Sequence, residues 1–327
     1  MDAREEMIFR LALKRRRKLG TLSDEGFTEL ELAVRADPTR FVDDQEEEAF
    51  MLVAKALSEL DASRATDELL DDEQFEQSRA RRMERLAKGA SDALSCDPKC
   101  ADARLLLLLS STTDLELLLD GLIDLEQTLE DDYGPLLPGA TGDAWADVFL
   151  RPRLRVMAQV AQNLLYTARY RMCCDACQRL LECAPLDVLG ARLSYALALA
   201  RLEDEEGFNW LDAHEGRHGN AWFHLGRLIL MYKLGRTSAI RRALSGYDRL
   251  CTGGAYALLQ PHFVDTYLPD RPAFEPGSFE EAMLAVHEAD AIVCDIPDFR
   301  LFCRDQPAFL ESARTFCNQN GLDWNEW

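Results

Sequence analysis

Proline is absent from two long stretches of the chain, and bases are scarce relative to acids throughout. None of the 12 prolines lies between Thr39 and Asp97 or between Leu186 and Gln260. Proline removes an amide donor and clashes with the preceding helical turn, so these stretches, rich in Ala, Leu, Glu and Arg, favour uninterrupted helices. Long uncharged runs are missing too. The most apolar segment, Leu105 to Leu109, is followed by Asp114, Glu116, Asp120 and Asp124, which leaves no window of roughly 18 residues suited to a membrane span. Charge begins at Asp2, Arg4, Glu5 and Glu6, where a signal peptide would place its apolar stretch. The sequence therefore predicts a soluble, cytoplasmic protein that engages no membrane.

Against 58 Asp plus Glu the chain has only 37 Lys plus Arg, a formal charge of −21. This deficit argues against general binding to nucleic-acid phosphates or anionic lipid, both of which need a basic footprint. Glycine patterns that cradle phosphates or expose a nucleophile (Walker, dinucleotide, G-x-S-x-G) are absent, and with them the usual signatures of nucleotide or acyl chemistry. No enzyme and no cofactor are expected. Short alternating segments separated by turn dipeptides are also missing, which excludes a sheet-rich fold.

Helical periodicity is present. Phe50, Val53, Leu57 and Leu60 follow i, i+3, i+7, i+10, a single helical face. Leu115, Leu118, Leu122, Leu125 and Leu129 do the same, with Leu119 and Ile123 widening the stripe. Helix ends repeat a form: Ala33 to Pro38 and Ala93 to Pro98 both read Ala-x-x-x-Asp-Pro, and Leu180 to Pro185 is a looser copy. A proline just beyond an amphipathic helix forces the preceding residue out of the helical region and turns the chain. Turn formers crowd Tyr133 to Gly142, and six prolines crowd the last part of the chain. The expected division is an N-terminal helical region over 1–150, helix pairs over 151–260, and a proline-interrupted C-terminal helical cap over 261–327.

Residues 154–187 carry a more particular pattern. Ala161 supplies a small residue in a first helix, Tyr170 an aromatic at the turn, and Leu180-Leu-Glu-Cys-Ala-Pro185 a closing helix with its proline. The segment resembles a tetratricopeptide repeat, a helix pair of about 34 residues. It departs from that family where Ala168 replaces the turn glycine and Cys173 replaces a small alanine. Looser copies follow from Val188 to Leu211, with a turn at Glu203 to Gly207, and from Ala221 to Leu250, with a turn at Gly235. The resemblance implies an all-α, right-handed superhelix of antiparallel helix pairs acting as a protein-interaction scaffold. It also implies a concave groove for a partner peptide or helix, faced by Arg155, Gln162 and Tyr166. The carboxylate clamp of chaperone-binding members is not recognisable, and the acidic composition favours a basic partner.

Other clusters compete for a role. Cys173, Cys174, Cys177 and Cys183 lie close together, but only one C-x-x-C exists among the ten cysteines, whereas structural zinc commonly needs four ligands in two pairs. Core thiols are the simpler reading, and a metal-binding or thiol-based sensor is the alternative. His214 and His218 have a chelating spacing that Gly216 interrupts. Lys14, Arg15, Arg16, Arg17 and Lys18 form a basic run in an N-terminal segment with seven bases and three acids. The run reads as a solvated helix face or as docking onto the chain's own acids, for which the ten-acid, base-free stretch from Leu105 to Leu150 is a complementary surface; nucleic-acid contact and bridging of two copies are the alternatives. Phe316, Trp324 and Trp327 give an aromatic C-terminus that would cover an apolar face.

Overall fold

Where each helix begins and ends follows from local chemistry. The computed structural model describes all residues except 1, 66, 68, 69, 140, 141, 215–218, 261–263, 266, 267, 326 and 327. Among the described residues there are α-helices and short 3-10 turns and no strand. Contacts divide the chain into two units, Met1–Met157 and Ala158–Trp327.

The first unit holds α1 (Ala3–Leu19), α2 (Asp24–Ala36), α3 (Gln45–Ala62), α4 (Asp72–Cys96), α5 (Ala101–Ser111), α6 (Leu115–Tyr133) and the start of α7 (Arg151–Tyr166). Asp2, Ser23, Asp44, Asp71 and Asp114 cap the first, second, third, fourth and sixth of these, each side chain accepting from a first-turn amide. Such caps satisfy amides that the helix itself cannot, at about 1 kcal/mol each. At the Ala-x-x-x-Asp-Pro ends, Asp37 and Asp97 leave the helical region and donate their amides to Ala33 O and Ala93 O. α1 packs on α2 and α3, α3 on α4, α4 on α5, and α5 on α6. The expected stripe Phe50, Val53, Leu57 and Leu60 is buried in this core, as are Leu118, Leu119, Leu122, Leu125 and Leu129, whereas Leu115 and Ile123 stay exposed. The division between units falls inside α7, beyond the turn-rich segment at 133–152.

The second unit continues α7 and adds α8 (Tyr170–Cys183), α9 (Ala191–Arg201), α10 (Glu205–His214), α11 (Ala221–Lys233) and α12 (Thr237–Leu250). After these come α13 (Gly254–Leu259), α14 (Phe279–Glu288), α15 (Asp290–Asp295), α16 (Phe299–Arg304) and α17 (Pro307–Asn320). Three tight turns, between α7 and α8, α9 and α10, and α11 and α12, close in the same way. Arg169 N donates to Leu164 O, Asp204 N to Leu199 O and Arg236 N to Met231 O, nested over Ala168 N to Leu165 O, Glu203 N to Ala200 O and Gly235 N to Tyr232 O. This is the Schellman closure. Its left-handed residue is Ala168 (φ 58°), Glu203 (φ 62°) and Gly235 (φ 66°) in turn. α9 packs on both α8 and α11, and α11 on α12. α11 is enclosed on nearly all sides, with Trp222, Phe223, Leu225 and the run Leu228 to Met231 buried.

Residues 268–277 link α13 to α14 and are held by a buried polar network. Arg271 donates to Glu288 Oε1 at 2.7 Å, to Gly190 O at 2.6 Å and to Ser194 Oγ at 2.6 Å, and Trp222 Nε1 donates to Glu288 Oε2 at 2.8 Å. Trp324 packs near Tyr256, 6.3 Å between ring centroids, while the Gln260 side chain pairs with both the carbonyl and the amide of Asn325. The expected aromatic cover is thus visible through Trp324 and Phe316; Trp327 lies outside the described residues.

Candidate functional site

The side chains expected to face a groove are engaged within the chain. Arg155, 5% exposed, belongs to the first unit's buried ionic cluster. Its guanidinium meets Glu6 Oε2 at 2.6 Å and Asp102 Oδ1 at 3.2 Å, with Arg151 3.2 Å from Glu6 and Arg10 3.7 Å from Asp102. Burial opposes ionisation of Glu6, but Arg155, Arg151 and Arg10 outweigh it and hold its carboxyl below the usual range. At Asp102 burial wins and the pKa is raised, despite the attraction of Arg155 and Arg10. Gln162 and Tyr166 belong to the second unit. Gln162 Nε2 donates to Glu288 Oε1 at 3.1 Å and to the Tyr166 hydroxyl at 2.8 Å. Burial lifts the Tyr166 phenol above its ordinary pKa, with the nearby Glu288 charge adding to the effect.

The cysteine cluster lies on α8. Cys173, Cys177 and Cys183 face the core, and the sulfurs of Cys173 and Cys177 are 3.9 Å apart. Burial pushes the Cys174 thiol up to about 12, and Cys177 is raised well above its ordinary value by its hydrogen bond with Cys173 and by burial. Their surroundings thus disfavour the thiolate form of Cys174 and Cys177, the form that binds metal or acts as nucleophile. Among the described residues no group of three or more His, Cys, Asp or Glu side chains is placed to hold a metal ion. His214 ends α10 with its ring stacked on Trp210 at 4.0 Å; His218 lies outside the described residues.

The basic run docks on the chain itself, although not on the expected surface. Lys14 Nζ lies 2.8 Å from Glu46 and 3.2 Å from Asp44, Arg15 Nη1 2.9 Å from Asp43, and Lys18 Nζ 2.8 Å from Asp43. Arg16 stands over Phe27 and Arg17 over Phe149. The acids that meet the run are Asp43, Asp44, Glu46 and Glu47 at the start of α3, not those of the base-free stretch. The hydrogen bond from Lys18 holds the Asp43 carboxyl below its ordinary range.

That stretch instead borders an open trough of about 420 Å³ in the first unit. One wall is the α5 stripe Arg104, Leu107, Leu108 and Ser111, and the other is the α6 stripe Gly121, Asp124, Leu125 and Thr128. Both are i, i+3, i+4, i+7 faces. Leu94 of α4 and Thr112 complete the lining. A Cβ added to Gly121 would stand 2.9 Å from Leu108 Cδ2, so the missing side chain is what lets Leu108 lie across α6. Arg104 Nε donates to Pro98 O at 2.9 Å and is held to its own wall. α6 carries seven acids and no Lys or Arg. Asp120 and Asp124, one turn apart on it, are both exposed, and neither is ion-paired among the described residues.

A trough with an apolar floor and charge of a single sign along one rim offers burial and electrostatic complementarity. Nothing in its residue pattern marked it beforehand: Leu107, Leu108 and Leu94 read as ordinary core leucines. The one available signal was the base-free run. Among the described residues no helix is long and apolar enough to cross a membrane. No family model, curated protein or solved structure matches this chain.

Proposed function

We propose that the chain is a protein-interaction module that binds a basic partner segment along the α5–α6 trough, without catalysis. The observation that carries this reading is the pairing of an open apolar floor with a seven-acid, base-free helix on its rim. Exposed apolar surface rimmed by polar residues is the common form of a binding site, because burying it releases water at about 25 cal/mol per Å². Unpaired exposed carboxylates add speed of encounter and choice of partner more than affinity. The helix pairs of the second unit, with their repeated Schellman turns, fit the interaction-scaffold reading drawn from the resemblance to tetratricopeptide repeats.

Fluorescence anisotropy of the full chain with labelled lysine-rich and glutamate-rich peptides tests this. The lysine-rich peptides are expected to bind, to weaken as salt rises, and to lose about tenfold in affinity when Asp120 and Asp124 are both changed to Lys. Equal binding of acidic and basic peptides at low salt would overturn the reading.

A further inference from the structure

We infer that the occupant of the trough is a short basic amphipathic helix rather than an extended chain, an inference that rests on the docking function just given. Both walls are helices whose backbone amides and carbonyls are already paired along their own axes. The trough therefore offers side chains only, with no sheet edge and no row of free amides. An extended peptide laid against Leu107, Leu108 and Leu125 would lose water from its backbone groups and gain no partner for them. A helix brings its backbone already satisfied and presents only side chains to the floor.

The dimensions agree. Each wall stripe covers residue i to i+7, about 10 Å at 1.5 Å per residue, or two helical turns. A helix of that contact length places about three apolar side chains, at i, i+3 or i+4 and i+7, into the trough. The small residues Gly121, Ser111 and Thr128 leave the space that those side chains enter.

Charge sets the flank of the occupant. Asp120 and Asp124 are spaced i, i+4 along α6, so a partner helix lying beside them meets both with Lys or Arg one turn apart on one flank. A second copy of this chain is disfavoured as occupant, because it would bring a base-free, seven-acid α6 of its own.

Three synthetic 16-residue Lys/Leu peptides, identical in composition except for one proline in the second, separate the possibilities, measured by anisotropy on the full chain. The first has its leucines at helical spacing, the second carries a central proline, and the third alternates Lys and Leu. Thr128→Trp and Ser111→Trp fill the trough from partly or fully exposed positions, and circular dichroism checks that each variant is folded. The helical peptide is expected to bind at least tenfold more tightly than the other two, and to lose that advantage on either filled variant. Equal binding of all three peptides, weakened by the filled variants, would overturn the helical occupant while leaving the docking function standing. Binding of none would remove both, and binding unchanged by filling would place the site elsewhere. Self-association of the free chain, abolished by Thr128→Trp, would make a second copy the occupant and overturn the inference.

Discussion

Gly253 has φ +65°, and a Cβ built on it would lie 2.6 Å from Phe316 Cζ and 2.7 Å from Phe279 Cδ2. Both the left-handed backbone and the lack of space call for glycine. Gly253→Ala is expected to cost about 2–4 kcal/mol, combining the left-handed penalty with overpacking. Urea unfolding measures it, and a loss below about 1 kcal/mol would show that the two rings move aside. In the sequence Gly253-Gly254 reads as a helix stop, and in part it is, since α12 ends at Leu250. What is hidden is that Gly253 also launches α13 beneath two rings, one 26 and the other 63 residues further along. The same limit applies to Arg155. Its helical register was legible, but its partners Glu6 and Asp102 lie 149 and 53 residues away, and no local pattern announces a pairing at that separation.

At the scale of elements the local chemistry was far more legible. The Asp-Pro helix ends and the three turns around Ala168, Glu203 and Gly235 all depend on residues within one turn of each other. The expected helix pair at 154–187 corresponds to α7, a tight turn and α8. Ala168 stands at a left-handed position where Gly235 serves in the corresponding turn. Relief of that conformation outweighs the greater entropy of glycine in the unfolded chain, so Ala168→Gly is expected to stabilise by about 0.5–1 kcal/mol. A rise in thermal midpoint is the measurement, and a fall would show that the Schellman turn tolerates alanine without strain. The trough was not legible, because it depends on which faces α5 and α6 leave uncovered after pairing. The Leu115 to Leu129 stripe predicts how α6 is buried but not what stands beside it.

For the whole molecule, the acidic excess resolves into distinct local arrangements. The start of α3 pairs with Lys14, Arg15 and Lys18 of the basic run, Glu6 and Asp102 are enclosed by arginines, and α6 keeps its acids on the surface. Glu6 ties these arrangements to pH. Its carboxyl is held below the ordinary value of 4.5, so its contribution to stability is fully present above that value and fades as pH falls through the lowered one. Glu6→Gln leaves Arg151 and Arg155 buried with less compensation, at an expected cost of about 3–5 kcal/mol at pH 7. Denaturant unfolding at pH 7 and again near pH 3 should show that difference narrowing in acid. A cost independent of pH would mean that the glutamine packs poorly and that charge is not the cause.

Glu6 also depends on partners made far later than itself. Lys14 has its partners Asp44 and Glu46 within 32 residues, so they are present in the chain once the start of α3 has been made. Glu6 waits for Arg151 and Arg155, 145 and 149 residues downstream. Until then its carboxylate has only Arg10, a turn further along α1, and burying it is unfavourable. A nascent chain that has reached residue 150, at the end of the turn-rich segment, thus still lacks the two guanidiniums that allow its first helix to close.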